Sequence, residues 1–147
     1  MATNASAPKT PKTKEEEFAG LSYLQQLYQN QYNSLARSIN GALERLADLN
    51  STHTTLEGME KITGKPSLTP IGSDAYIFST ASTKQTLLVH VGASYLVEKT
   101  VDEAKGFISK LIERNTAFIN GLIKNRNEVE NALLGVSYRL DELNTEL

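Results

Sequence analysis

The chain contains no cysteine and no tryptophan, and its 147 residues include only four phenylalanines and two histidines. Because cysteine is absent, disulfides and thiolate chemistry are excluded, and the composition suits a reducing, cytoplasmic setting. With so few bulky aromatic side chains a large globular core is hard to build, so we expect an elongated fold. No apolar run approaches the ~20 residues that cross a bilayer, and the N-terminus lacks a secretory signal, so we expect no membrane partner.

The charges and histidines favour neither nucleic-acid binding nor catalysis. The net charge of −2 is too nearly balanced to attract nucleic acid or an anionic membrane. His53 falls in a predicted helix and His90 in a predicted strand, neither beside a carboxylate cluster at metal-ligand spacing. No P-loop, dinucleotide-binding fingerprint or nucleophile elbow is present. We therefore predict that the protein is not an enzyme and has no catalytic residue, no metal site and no cofactor.

Proline is rare, and its four copies divide the chain into segments. Pro8 and Pro11 lie in a small, polar tail with three lysines, which we expect to be disordered because it has almost nothing to bury. Pro66 and Pro70 lie just past the midpoint, and no proline interrupts the long stretches on either side of them. The predicted segments are a basic tail over residues 1–14, a coiled-coil helix over 15–64, two β-hairpins over 65–100 and a second coiled-coil helix over 101–147.

The first helix is predicted from a capping box and a heptad pattern. Thr13 and Glu16 have the S/T-x-x-E spacing that opens a helix, and Gly64 before Pro66 is typical of a helix end. Between them, two columns repeat every seven residues for more heptads than a coiled coil requires. One column comprises Leu21, Tyr28, Leu35, Ala42, Leu49 and Leu56, and the other Gln25, Tyr32, Ile39, Leu46 and His53.

The second helix opens with another capping box, formed by Thr100 and Glu103. Its first column comprises Val101, Ile108, Asn115, Leu122, Val129, Val136 and Leu143. A companion column begins as Ala104, Leu111 and Phe118 and then moves one residue, to Leu133, Leu140 and Leu147. Ile112 and Ile119 bridge the change, which indicates an apolar stripe that drifts around the helix.

The connecting segment has the composition of short β-strands. Ala75–Phe78 and Thr86–Val91 are β-type runs, and turn residues such as Gly72-Ser73-Asp74 and Gly92-Ala93 punctuate them. We expect four strands, or two hairpins. An isolated hairpin pair is marginal in water, so we expect these strands to pair with other subunits. The residues predicted to carry this oligomerisation are Tyr76, Phe78, Leu87, Val89, Val91, Tyr95 and Val97.

Together these segments predict a mainly α-helical fold. Each helix spans about 45 residues, or roughly 65–70 Å at ~1.5 Å per residue. Because the two lengths match and the connection between them is local, we expect the helices to pack as an antiparallel two-helix coiled coil joined by the two β-hairpins.

The run Val91-Gly92-x-x-Tyr95-x-Val97-Glu98-Lys99 leads into an acidic helix start and is the most specific motif of the connection. Together with the order of helix, two hairpins and helix, it resembles the α-class subunit of the prefoldin family. The resemblance covers residues 18–147 in architecture, and its specific motifs lie in 68–104.

The resemblance implies a hexamer of two α-class and four β-class prefoldin subunits, in which the hairpins assemble into an intersubunit β-barrel body with coiled-coil tentacles. It implies an ATP-independent holdase of the archaeal or eukaryotic cytosol. Such a protein captures non-native client proteins and delivers them to a group II chaperonin.

The far end of the coil carries more apolar residues than one helix seam buries. Leu24 and Leu27 lie off the seam of the first helix, and Leu134 and Tyr138 flank the stripe of the second. An exposed apolar patch on a soluble protein commonly marks an interaction surface. The residues predicted to contact clients, taking the resemblance into account, are Phe18, Leu21, Leu24, Leu27, Leu133, Leu140, Leu143 and Leu147.

The sequence leaves two alternatives open. The broad apolar stripe could serve only to pack the two helices or to meet a neighbouring coil. The chain could also be a structural coiled-coil adaptor or scaffold that binds one specific folded partner.

Overall fold

The computed structural model describes residues 13–82 and 86–146. The predicted basic tail therefore lies outside the described residues except for Thr13 and Lys14, and so does Leu147. The first long helix is α1 (Lys14–Glu57), followed by the single turn α2 (Met59–Ile62), and the second long helix is α3 (Val101–Glu146). Between α2 and α3 lie the strands β1 (Pro66–Gly72), β2 (Ala75–Thr80), β3 (Leu87–Gly92) and β4 (Tyr95–Lys99). No helix within the described residues has the length and hydropathy to span a membrane.

Both long helices begin with the capping boxes that the sequence predicts. The Thr13 amide donates to Glu16 Oε2 at 3.1 Å, and the Glu16 amide donates to Thr13 Oγ1 at 3.2 Å. The same reciprocal pair joins Thr100 and Glu103, at 2.9 and 3.2 Å. Each box satisfies amide groups that the first helical turn leaves without a carbonyl partner.

The first helix is interrupted before the predicted end at Gly64. The amide of Gly58 is shared between the carbonyls of Thr54 and Thr55, both at 3.1 Å, and α1 ends at Glu57. Gly64 then has a φ of +73°, which favours glycine, and its amide donates to the Ala81 carbonyl at 3.0 Å. Glycine has poor helix propensity, which accounts for the break at Gly58.

The contacts divide the chain into two compact units, which we call the central unit (Asn40–Asn120) and the terminal unit (1–39 with 121–147). In the central unit, Leu49 and Leu56 of α1 form a buried cluster with Ala104 and Ile108 of α3. Partly buried side chains that pack against this cluster come from α2, β3 and α3, namely Met59, Leu87, Val89, Phe107, Leu111 and Ile112.

In the terminal unit, the start of α1 lies against the end of α3. Gln25 Nε2 donates to Ser137 Oγ at 3.0 Å, and Arg139 Nε donates to Glu17 Oε1 at 2.9 Å. Leu143 is fully buried. The two helices are therefore antiparallel in this unit, as they are in the central unit.

The heptad pattern predicts the buried stripe of α1 well. All eleven residues of its two columns are buried or half-buried, and the most deeply buried are Ile39 and Ala42. On α3 the prediction fails at Phe118, which is 58% exposed, whereas Ile119 is 5% exposed. The stripe takes two successive four-residue steps, from Leu111 to Asn115 to Ile119, and such a stutter turns the next seven-residue position away from the partner helix.

The strands form two separate antiparallel hairpins. In the first, Leu68 is opposite Phe78 and Pro70 is opposite Tyr76. In the second, Val89 is opposite Val97.

The tight turns of both hairpins hold residues in the left-handed region: Ser73 and Asp74 have φ of 23° and 61°, and Ala93 and Ser94 have φ of 44° and 63°. Two consecutive positive φ values are typical of the turn that matches the twist of a two-residue hairpin.

Candidate functional site

The first hairpin has one aromatic face and one hydroxyl face. Because side chains alternate along a strand, Leu68, Tyr76 and Phe78 share a face, which we call the aromatic face. All three are exposed, and Phe78 is 84% exposed. On the opposite face Ser67 and Thr69 hydrogen-bond to Ser79. The aromatic face is therefore a surface on which apolar area remains in contact with water.

The second hairpin uses its two faces differently. Leu87 and Val89 are half-buried because they pack on the Leu49 cluster of their own chain, whereas Leu88 and Leu96 are exposed. An open groove of about 400 Å³ runs beside β3, and Phe107 is among the side chains that line it. One face of this hairpin is thus occupied within the chain, and the other is available.

The predicted oligomerisation residues fall into two groups. Five of them are exposed: Tyr76, Phe78, Val91, Tyr95 and Val97. Leu87 and Val89 instead contact the helices, an arrangement that strand alternation alone could not reveal.

The predicted client-binding residues are also divided. Leu27 is exposed, and Phe18, Leu21, Leu24 and Leu133 are half-buried. Leu140 is 8% exposed and Leu143 is fully buried, so both pack between the helices and offer little surface while the helices stay paired. Leu147 lies outside the described residues.

A more exposed set of apolar side chains lies on the same unit. Tyr23 and Leu27 on α1 and Leu134 and Tyr138 on α3 are exposed, and we call these two pairs, one on each helix, the terminal apolar patch. Each pair has i, i+4 spacing, which places its two members on one face of the helix. Tyr23 was missed in the sequence, although its spacing from Leu27 was a usable signal.

Ion pairs link the two helix ends of the terminal unit. Arg139 bridges Glu17 at 2.9 Å and Glu142 at 3.2 Å, and Lys14 pairs with Glu146 at 3.3 Å. The hydrogen bond with Glu17, followed by that with Glu142, raises the pKa of the Arg139 guanidinium above its usual value. The Arg139–Glu17 and Lys14–Glu146 pairs join α1 to α3 in the same unit that buries Leu143.

An amide-rich cleft of about 500 Å³ lies between α1 and α3 in the terminal unit. Gln26, Asn30 and Ser137 are among its polar lining groups, and Leu133 is its apolar one. The other polar side chains of the lining, all on α1, are Ser22, Gln25 and Gln29.

The two histidines lie on different elements: His90 of β3 lines the groove beside that strand, and His53 lies on α1. His53 Nδ1 lies 3.6 Å from Glu57 Oε1, one helical turn away. Across residues 13–82 and 86–146, no three side chains of the His, Cys, Asp or Glu type come together as a metal site would require. The surfaces described above offer apolar side chains and side-chain amides to a binding partner.

Comparison with known proteins gives consistent matches. The family model described as a prefoldin subunit matches residues 28–145. The chain is 28% identical over 107 residues to prefoldin subunit alpha of Thermofilum pendens, covering 67% of this chain and 83% of that protein. It is 32% identical over 100 residues to prefoldin subunit alpha of Pyrococcus horikoshii, covering 67% and 68%.

A solved structure shares the fold. It is the cryo-EM structure of filamentous PFD from Methanocaldococcus jannaschii, with a TM-score of 0.57 and 24% sequence identity. The match covers 83% of this chain and 96% of that chain.

Proposed function

The chain belongs to the prefoldin family as an α-class subunit, and on that premise we propose that it works in a hetero-oligomeric holdase that captures non-native polypeptides without ATP. Membership supports the role of a chaperone subunit. We further propose that the captured chains pass to a group II chaperonin and that this takes place in the cytosol.

The observation that carries this proposal is the distribution of exposed apolar side chains. Most of the large ones lie on the two hairpins, and a second set forms the terminal apolar patch. Burying apolar surface contributes roughly 25 cal/mol per Å². Two separate apolar surfaces on one chain are what a subunit needs if it assembles through one and captures clients through the other.

Assembly is proposed to use the aromatic face of the first hairpin and the free face of the second. Two-stranded sheets leave hydrogen-bonding edges open, and other subunits can add strands there. The relative of the same fold is described as filamentous, so chains of this architecture build larger assemblies. We propose that the partners are β-class prefoldin subunits, with two α-class and four β-class chains around an intersubunit β-barrel.

Client capture is proposed to use the terminal apolar patch, supported by Phe18, Leu21, Leu24 and Leu133. Apolar contacts do not depend on the client sequence, and several weak contacts on separate subunits add by avidity. Contact through Leu140 and Leu143 would require the helix ends to separate, because both are buried in the paired state.

Assembly is tested by replacing Phe78 with aspartate in the full chain and measuring the mass after mixing with β-class subunits. We expect species smaller than the wild-type complex, since a charge on the aromatic face opposes burial. Ser67→Asp, on the opposite face of the same hairpin, is the matched control and should leave the mass unchanged. An unchanged mass for the Phe78 variant would rule out assembly through this face.

Capture is tested by aggregation assays with two unrelated denatured clients and no nucleotide. Replacing Tyr23, Leu27, Leu134 and Tyr138 with serine should abolish protection of both clients. The control variant replaces Leu43 and Phe118, two exposed apolar residues of the central unit, with serine. It should still protect both clients from aggregation. If the wild-type chain in its complex protects neither client but binds one folded protein saturably, the adaptor interpretation replaces this proposal.

A further inference from the structure

The α1 segment of the terminal unit has an unusual surface chemistry. No charged residue occurs between Glu17 and Arg37. The exposed positions there are instead rich in amides, among them Gln26, Gln29, Asn30 and Asn33. The solvent-facing side of a helix ordinarily carries charged residues, so a neutral amide surface over this length calls for a reason.

The spacing of these polar groups matches an extended polypeptide. Ser22, Gln26 and Asn30 line the cleft at steps of four residues, which are about 6 Å apart along a helix. An extended chain repeats its backbone groups on one side every two residues, or about 6.6 Å. A peptide lying along the cleft would therefore meet successive side chains of α1 with successive main-chain groups.

The chemistry of the cleft also fits a peptide backbone. A side-chain amide both donates and accepts hydrogen bonds, as does each peptide unit. Gln25 donates to Ser137, and Gln29 donates to Asn33 at 3.3 Å. The side-chain amides of Gln26 and Asn30 make no hydrogen bond to another protein group within the described part of the chain, so they remain available to a ligand.

Apolar side chains lie next to the uncharged amides of α1. Leu133 lies in the cleft wall, and Tyr23 and Leu27 are exposed on the same stretch of α1. Tyrosines combined with small amide and hydroxyl side chains supply rigid contact area together with adaptable hydrogen bonding, as in antibody binding loops.

We propose that this cleft binds the extended main chain of a non-native polypeptide, with Gln26 and Asn30 hydrogen-bonding to its peptide groups. The inference rests on the proposed function and adds the chemical feature that is recognised. Every unfolded chain presents unpaired peptide groups, whereas a folded protein has paired nearly all of its own. Recognition of the backbone therefore selects for the non-native state without selecting for sequence.

The test uses the full chain and two fluorescent peptides that differ only in their backbones. One is a short peptide of leucine, valine and serine, and the other is the same sequence N-methylated at alternate residues. N-methylation removes N–H donors and keeps the side chains. We expect the N-methylated peptide to bind roughly tenfold more weakly, because it has lost main-chain donors that the cleft amides would accept from.

The variant Gln26→Leu/Asn30→Leu separates backbone recognition from apolar capture. Leucine has a similar size, and its helix propensity equals that of glutamine and exceeds that of asparagine, so the variant should fold, as circular dichroism will verify. Backbone recognition predicts weaker binding of the unmodified peptide and no remaining difference between the two peptides. The matched control Asn127→Leu/Asn131→Leu changes an exposed i, i+4 amide pair on α3 and should preserve the difference.

Other outcomes overturn the inference. Equal affinity of wild type for the two peptides, or tighter binding by the Gln26→Leu/Asn30→Leu variant, would mean that capture is apolar alone. If neither peptide binds while denatured clients are still protected, the cleft is not the site. If the wild-type complex does not protect denatured clients from aggregation, the proposed function itself is refuted.

Discussion

Asn115 Nδ2 on α3 donates a 2.9 Å hydrogen bond to the main-chain carbonyl of Ala42 on α1. The small Ala42 side chain is buried at this point, which lets the amide reach the opposite backbone. A single polar residue in an apolar helix seam commonly selects one register at some cost in stability. This contact therefore aligns the two helices of the central unit in a way that leucines alone would not.

Replacing Asn115 with leucine should raise the free energy of unfolding by about 1 kcal/mol, because apolar burial outweighs one modest hydrogen bond. The Ala42 carbonyl keeps its own helical partner and is not orphaned. Chemical denaturation measures the change. Engineered cysteine pairs that face each other only when the two helices are shifted by one register should then cross-link in the variant and not in wild type. A lower free energy of unfolding for the variant would contradict this account.

Replacing Arg139 with methionine should lower the melting temperature by no more than a few degrees. The guanidinium and both carboxylates are partly exposed, and exposed pairs contribute little. Because the pKa of Arg139 is raised in the folded state, its contribution is present below the range in which the free guanidinium titrates and is lost only in strong alkali. The difference in melting temperature between variant and wild type should thus be the same at neutral and mildly alkaline pH. It should become smaller in high salt.

The same glycine-to-alanine change should have opposite effects at two positions. Gly92 has a φ of +116°, which strains an alanine, so Gly92→Ala should cost more than about 1 kcal/mol. Gly121 lies in the helix α3 with open space around its missing Cβ, so Gly121→Ala should gain about 0.5–1 kcal/mol. Thermal unfolding followed by circular dichroism measures both, and equal signs would contradict the two backbone assignments.

Adjacent residues of β3 should behave differently when each is replaced by aspartate. Val89 packs on the buried cluster of the central unit, so Val89→Asp should destabilise the chain by about 3 kcal/mol. Leu88 is exposed, so Leu88→Asp should leave the stability of the isolated chain nearly unchanged. Urea titrations of the two variants provide the comparison, and similar losses would show that β3 does not distinguish its faces.

Local signals in the sequence were sufficient for much of the fold. The capping boxes at Thr13 and Thr100 and the seven-residue columns of α1 depend on residues a few positions apart, so they can be read directly. The helix break at Gly58 was missed, because a single glycine inside a helical pattern is commonly tolerated. The sequence predicts that the apolar stripe of α3 drifts, but it keeps Phe118 in the stripe. The stutter comes before that residue, so Ile119 is buried instead.

The functional surfaces were harder to predict because they depend on which face each element turns inward. Alternation in β3 indicates a strand, but it does not say that Val89 meets the helices while Leu88 meets solvent. Leu140 and Leu143 belong to the seam columns, and their burial follows from that membership, although the sequence together with the family resemblance favoured them for client contact. The exposed Tyr23 lies outside both heptad columns of α1, so the seven-residue pattern does not single it out, although it is one turn before Leu27.

The contacts of the terminal unit also have a consequence for biosynthesis. Arg139 reaches Glu17 across 122 residues of chain, whereas Asn115 reaches Ala42 across 73. Closing a longer loop costs more entropy, and on a ribosome its second half is also the last to be made. The start of α1 therefore leaves the exit tunnel long before its partner exists, with the leucines of its seam uncovered. Until the end of α3 has been made, this subunit is itself a non-native chain that presents the kind of surface we propose it to bind.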